Sequence, residues 1–249
     1  MTTLTIATYN IHKGFSHFNR RMMLHELREC LRELNSDIVF LQEVQGAHSD
    51  TAGRRKNYPA LPQYEYLADQ IWPHHAYGKN VVYDQGHHGN SILSRYPIAR
   101  WDNQDISSHR FESRGLLHCE IPIADSRHAL HCLCVHFGLF ARGRNKQFKA
   151  LVERIQQKVP MDAPLIVAGD FNDWGNHASH LLARELQLQE VFEASHGKPA
   201  RSYPVIWPVL CMDRIYVRGL EIQHSEVHAR HPWNKISDHA ALSATLTLP

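Results

Sequence analysis

The sequence predicts an α/β protein of the α+β kind, with two mostly antiparallel or mixed sheets packed together and helices outside. Three observations predict it. Apolar strand-like runs recur along the chain, at residues 4–10, 37–43, 114–121, 128–135, 212–217 and 241–248, with a further one at 165–169. Helical patterns interrupt these runs without alternating strictly with them, which disfavours a doubly wound parallel sheet. The runs at 114–121 and 128–135 are separated by the turn-forming Ala124-Asp125-Ser126, the arrangement of a hairpin.

Bulk properties fit that class. The 249 residues are enough for one sizeable core, and a single domain over residues 1–249 is expected because no linker, internal repeat or low-complexity segment breaks the chain. Hydrophobic residues make up 43% and charged residues 21%, as in ordinary globular proteins. The formal net charge of +2 is not a polybasic signature, so bulk charge does not mark a nucleic-acid binder. Twenty histidines are the unusual feature; most are expected on the surface or in loops, with a few doing chemistry. Five cysteines, an odd number without zinc-type or disulfide-type spacing, point to a reduced compartment. No segment reaches the length of a membrane span, and the N-terminus lacks the basic and apolar regions of a signal peptide. A cytoplasmic location is therefore expected, with no obligate protein partner evident.

The elements follow in order. Residues 4–10 alternate apolar and polar as a strand and end at Asn10-Ile11-His12-Lys13-Gly14; Asn10 and His12 share a face by strand spacing. Residues 20–34 read as a helix, with Met23, Leu24, Leu27, Leu31 and Leu34 on one stripe. Residues 37–43 form a buried strand ending in Glu43, and a carboxylate there calls for a cation or hydrogen bonds. Residues 46–62 are a long polar excursion carrying Arg54-Arg55-Lys56, a basic patch that either faces substrate or is simply solvated. Residues 63–68 and 79–83 look like short strands, and Gly86-His87-His88-Gly89-Asn90 leads into another. Strand-like material continues over 98–106, followed by a polar turn at 107–113. The strand at 128–135 stops at His136, and residues 142–159 form a helix packed through Phe148, Leu151, Val152 and Ile155.

The most informative stretch is 165–173. An apolar strand ends in Gly169, then Asp170, with Asn172 two residues on; strand spacing would put the acid and the amide on one face. Such a pair suits the positioning of a water and a phosphate, and equally a plain strand terminator. A helix is expected over 178–186, then a ring-packed loop over 197–210 whose Pro content rules out a continuous helix. Its segment 203–207 either contacts substrate or packs the core. Strands at 212–217, 220–227 and 241–248 close the chain, with Asp213 opening the first of them and Asp238-His239 preceding the last. Six strand ends or starts thus carry Asn10, Glu43, His136, Asp170 with Asn172, Asp213, and Asp238 with His239. A catalytic imidazole usually needs a carboxylate to fix its tautomer, and Asp213 is the candidate partner for His239.

These motifs, taken together, resemble a known family. Tyr9-Asn10-Ile11, Gln42-Glu43, Gly89-Asn90-Ser91-Ile92-Leu93-Ser94, His136-Phe137-Gly138-Leu139, Gly169-Asp170-Phe171-Asn172, Asp213-Arg214-Ile215 and Ser237-Asp238-His239 are similar to the motifs of the endonuclease/exonuclease/phosphatase superfamily, in its order and over nearly the whole chain. Asn10-Ile11-His12-Lys13-Gly14, Gly86-His87-His88-Gly89-Asn90 and Asp213-Arg214-Ile215-Tyr216-Val217 more narrowly resemble its bacterial YbhP-like branch.

The resemblance implies a four-layer αββα sandwich and Mg²⁺-dependent hydrolysis of a phosphoester, with Mn²⁺ as the substitute metal. It implies Glu43 as main metal ligand, with Asn10 and Asp238 near the metal. Asp170 would orient or deprotonate the attacking water, and Asn172 and His136 would hold phosphate oxygens. His239, oriented by Asp213, would stabilise the charged transition state or act as general acid/base. Asn10, His12 and Asn90 are further phosphate-binding candidates. Abasic-site and exonuclease branches usually carry an acid or amide where this chain has His12, and a Tyr-containing segment where it has His136-Phe137-Gly138-Leu139. His136 looks more like the phosphatase, sphingomyelinase and secreted-nuclease branches. The leading expectation is therefore a phosphodiesterase or phosphomonoesterase on a small or lipid-linked substrate. A nuclease acting on DNA or RNA is the first alternative, and a non-catalytic binding module on the same fold the second.

Overall fold

The computed structural model describes residues 2–17, 20–48, 58–84, 86–109, 112–124 and 126–248. The basic Arg54-Arg55-Lys56 and the Asp125 turn position lie outside the described residues.

Among the described residues, twelve strands form two six-stranded sheets. The first comprises β1 (Thr2–Asn10), β2 (Ile38–His48), β3 (His74–Tyr83), β4 (Gly86–Ser94), β11 (Glu221–His228) and β12 (Ala241–Leu248), in the order β11-β12-β1-β2-β4-β3. The second comprises β5 (Arg100–Asp105), β6 (Gly115–Ile121), β7 (Leu130–His136), β8 (Leu165–Asp170), β9 (Gln189–Glu190) and β10 (Asp213–Arg218), in the order β5-β6-β7-β8-β10-β9. Each sheet is antiparallel except for one parallel pair, β1 with β2 and β7 with β8. The expected hairpin of β6 and β7 is present.

Alternation along the strands builds three apolar layers. Leu4, Ile6, Phe40, Ile92, Cys132, Cys134, Ile166, Ala168 and Ile215 point between the sheets and form the central core. The intervening Ala7, Tyr9, Val39 and Leu41 face outward and are covered by α1 (Leu24–Leu34) and α2 (Gln63–Ala68) through Leu24, Leu27, Leu31 and Leu67. On the other side Leu133, Val135, Leu165 and Val167 are covered by α3 (Ala141–Lys158) and α4 (His177–Leu186). A short α5 (Val191–His196) follows β9. The layering is helix, sheet, sheet, helix.

Three local expectations are corrected. Residues 63–68 are helical, although Tyr64 and Tyr66 favour strand. Tertiary bonds decide it: Gln45 N donates to Gln63 Oε1 (2.9 Å), Gln63 Nε2 donates to Lys13 O (2.8 Å), and Tyr64 stacks on Tyr77 at 4.5 Å. The first helix begins at Leu24 rather than residue 20, because Phe15 bridges Met22 and Ser16 N donates to Arg21 O (2.8 Å). The strand expected to end at Glu43 runs on to His48, so residues 46–48 belong to β2 and not to a loop.

Candidate active site

The period that packs the core also delivers the site. The inward positions of β1, β7 and β8 are even-numbered, and the last of each is polar: Asn10, His136 and Asp170. Asp213 is the inward residue that opens β10, directly opposite Asp170 in the register. These side chains meet in the cleft between the sheets at one end of the sandwich. Gly169 makes the approach workable. Its φ is +146°, and a Cβ there would lie 2.0 Å from Val135 O.

Asp170 is the hub. Its Oδ2 lies 3.1 Å from Asn10 Nδ2, 3.5 Å from His136 Nε2 and 3.8 Å from His239 Nε2, while Oδ1 accepts from Asn172 N at 3.0 Å. His239 Nδ1 lies 2.8 Å from Asp213 Oδ2. Asp213 N donates to Ser202 Oγ (3.1 Å), His239 N donates to Ser237 Oγ (3.3 Å), and the Tyr203 ring sits 4.9 Å from the imidazole. The pair is thus fixed by its backbone and by a ring from the 203–207 loop.

Burial raises the Asp170 carboxyl to about 7; the Asp213 carboxylate adds to the rise, and His239 with Asn10 opposes it. Burial alone would lower His239, but Asp213, with Asp170 and Asp238, lifts it to about 10. His136 has no such carboxylate excess. Burial and the charges of Arg114 and His239 hold it well below the ordinary histidine range, so it is a neutral imidazole.

Glu43 reaches the site by a different route. The β2–β4 register slips between Leu41 and Val44, and Glu43 takes a left-handed φ of +57°. The irregularity brings its carboxylate to Asn10 Nδ2 (3.5 Å) and Lys13 Nζ (3.7 Å). Asp238 joins through His12, whose Nδ1 lies 3.3 Å from its Oδ1.

These placements test the cation implied by the resemblance. Glu43 and Asp238 are hard oxygen donors, Asn10 stands beside Glu43 with its amide nitrogen turned to that carboxylate, and Glu43 is held in a costly backbone conformation beside a lysine; the carboxylate chemistry fits Mg²⁺ or Mn²⁺. Asp170, Asp213 and His239 also lie close enough to share an ion. An imidazole held protonated by a carboxylate has no lone pair for a metal, so the oxygen set is the better cation site.

Other placements differ from strand-based expectation. Asn172 lies beyond β8 with φ +48°, and its Nδ2 donates to Phe137 O at 2.9 Å; it stands beside Asp170 through a turn, not through strand spacing. His12 likewise lies in a 3-10 turn after β1, with its N donating to Asn10 Oδ1 (3.1 Å). Asn90 is buried deeper, and its Nδ2 donates to Gly115 O (3.0 Å) and Cys134 O (3.2 Å), so both its N–H donors are taken. Sequence reasoning missed Arg114 and undervalued His88, whose charge environment is shared with His136, Lys13 and Glu43. The only signal was the His pair in its glycine-flanked segment.

Residues 7–239 match the model of the Endonuclease/Exonuclease/phosphatase family. The chain belongs to that family. It is 45% identical to the protein YbhP of Escherichia coli (strain K12) over 243 residues, 98% of this chain and 96% of that one. Among solved structures of this fold is D. rerio TDP2 complexed with single strand DNA product, with a TM-score of 0.74 at 19% identity, covering 99% of this chain and all of that one (100%). Another is the mannosyl-6-phosphatase Bt3783 of Bacteroides thetaiotaomicron, with a TM-score of 0.72 at 14% identity, covering 98% and 99% of the two chains.

Proposed function

We propose that the protein is a metal-dependent phosphoesterase that hydrolyses its substrate by attack of a water positioned at Asp170. The observation that carries this reading is the buried Asp170 carboxyl, raised to about 7, at the centre of donors from β1, β7 and the segment preceding β12. A base titrating near neutrality is matched to removing a proton from water and later releasing it. The new bond runs from the water oxygen to phosphorus; the proton passes to Asp170 Oδ, and the ester oxygen leaves with the electrons of the broken P–O bond. His239, kept as imidazolium by Asp213, stabilises the charge gathering on the phosphoryl oxygens. His136 as a neutral donor, and the second N–H of Asn172, hold those oxygens in place. Asn90 braces the floor of the cleft.

Glu43, Asn10 and Asp238 would hold the cation, Mg²⁺ or Mn²⁺, which supplies charge neutralisation at the phosphate. Lys13 stands next to Glu43 and adds positive charge at the same wall.

The test is hydrolysis, with Mg²⁺ and with Mn²⁺, of a generic phosphodiester, a phosphomonoester and plasmid DNA, with Asp170→Asn as the blank. The expected outcome is ester turnover that falls by roughly 10²–10⁴-fold in Asp170→Asn. Mutant-sensitive nicking of DNA, steeply salt-dependent, would make the protein a nuclease. Equal activity of wild type and Asp170→Asn, or no activity on any substrate with either metal, would overturn the assignment and leave a binding module.

A further inference from the structure

We propose that the mouth of this site is a docking surface for an anionic phospholipid membrane. The proposal rests on the phosphoesterase reading, because it makes the membrane the place where the phosphoester is met. Ten large hydrophobic side chains are strongly exposed among the described residues, and six of them lie on three loops at the site end of the sandwich. Leu139 and Phe140 follow His136, Trp174 follows the Asp170–Asn172 turn, and Ile206, Trp207 and Val209 follow Tyr203, whose ring meets His239. Phe140 is 78% exposed, Trp207 77% and Ile206 73%. Exposed apolar residues scattered singly need no explanation, but a concentration around one polar cleft does.

The loops are held firmly, so the exposure is built in. Arg144 is buried beneath two of them: its Nη1 donates to Leu139 O (2.7 Å) and Gly138 O (3.2 Å), and its guanidinium lies 5.1 Å from the Trp174 ring centroid. The third loop is closed by Val209 N and Leu210 N donating to Tyr203 O (3.0 and 2.8 Å), and is tied to the site by Val205 N donating to Asp238 O (2.7 Å).

Two features select the occupant. Phe140, Trp174 and Trp207 carry rings on which a base could also stack, but Leu139, Ile206 and Val209, the other half of the patch, are aliphatic and gain only by entering hydrocarbon. The same rim is basic. Arg142 and Lys146 line one cavity with Phe140, of about 340 Å³, and Arg114 lines a neighbouring one with Leu139 and Phe140, of about 310 Å³; the Glu112 carboxylate lines both, so cations outnumber it without being alone. Apolar side chains flanked by cations on one side are complementary to acyl chains under anionic head groups. No described helix is long and apolar enough to cross a membrane.

The experiment is flotation of the full chain with phosphatidylcholine vesicles made with and without phosphatidylglycerol, in chelator so that nothing turns over. The wild type, the double variant Ile206→Ser/Trp207→Ser, Phe140→Ser and Trp101→Ser are compared after circular dichroism shows each is folded. Trp101 is also exposed, but it pairs with Cys119 in the half of the second sheet away from the site. The expected result is binding to the phosphatidylglycerol vesicles, roughly tenfold weaker in the double variant and in Phe140→Ser and unchanged in Trp101→Ser. Absence of vesicle binding, binding insensitive to the rim substitutions, or binding of a single-stranded oligonucleotide in place of vesicles would each overturn the proposal. Because binding is read without turnover, loss of the phosphoesterase reading alone leaves this result standing.

Discussion

The second sheet and its neighbours bury histidines in two places that share burial and differ in charge. His239, at the mouth of the cleft, is 6% exposed; His118 and His131, on the helix-covered face of β6 and β7, are 3% and 5% exposed. Burial pushes all of them toward the neutral form. At His239 the Asp213 carboxylate 2.8 Å away reverses the push and the ring stays charged to about 10. At His118 no carboxylate is bonded to the ring; it meets the other imidazole (Nε2 to Nδ1, 2.9 Å) and Arg154 (Nε to Nδ1, 3.3 Å), and falls to about 4. The Asp102 carboxylate, whose charge opposes the fall, is paired with Arg154 itself. The partner, not the depth, decides whether a buried imidazole carries charge.

The largest effect is expected from breaking the charged pair. Asp213→Asn keeps the shape but removes the carboxylate, so kcat on the phosphoester falls by roughly 10³–10⁴-fold, as for other imidazoles deprived of their orienting acid. The nuclear magnetic resonance titration of His239 in chelator moves down from about 10. His118→Asn leaves kcat unchanged. A His239 that still titrates near 10 in Asp213→Asn would refute the comparison at its root.

The two places also predict opposite pH windows for stability in metal-free protein. An unfolded histidine titrates near 6.5. His118 binds its proton only below about 4 when folded, so between those values the unfolded chain holds more protons and stability falls as pH falls. The limit of that loss is on the order of 3 kcal/mol. His239 binds its proton up to about 10 when folded, so its contribution is full below about 6.5 and is lost as pH rises toward 10. Urea midpoints from pH 4 to 10 check both limbs. His118→Asn should flatten the acid limb and leave the alkaline limb in place, and Asp213→Asn should flatten the alkaline limb.

What made the site legible in the sequence was strand parity. Ile166 and Ala168 face the core, so the next residue on that face, Asp170, had to end in the cleft; the same count delivers Asn10 and His136. Parity also explains what was not legible. Glu43 has the wrong parity and reaches Asn10 only because β2 slips register and the residue turns left-handed, which no local pattern announces. Asn172 is beside Asp170 by a left-handed turn, so strand spacing predicts the neighbour but not the geometry that makes it one. The Gln63–Ala68 helix was hidden because its aromatics favour strand while partners far away in sequence, Lys13 and Gln45, impose the helix. The His118–His131 pair depends on the register of two strands and an arginine from α3, none of which is encoded nearby.

The smallest expected effect closes the comparison from the other side. His128 Nε2 lies 2.9 Å from Asp162 Oδ2, nearly the distance of the His239–Asp213 pair, but Asp162 is an exposed side chain on the surface. In water the attraction is screened, and holding two mobile side chains together offsets most of what remains. Asp162→Asn should therefore leave the thermal midpoint within error of wild type at low and at high salt. It should also leave both limbs of the pH–stability curve in place. A drop in midpoint comparable to that caused by Asp213→Asn would mean that contact distance alone sets the strength of a histidine–carboxylate pair. The charge on His239 would then need no buried site to sustain it.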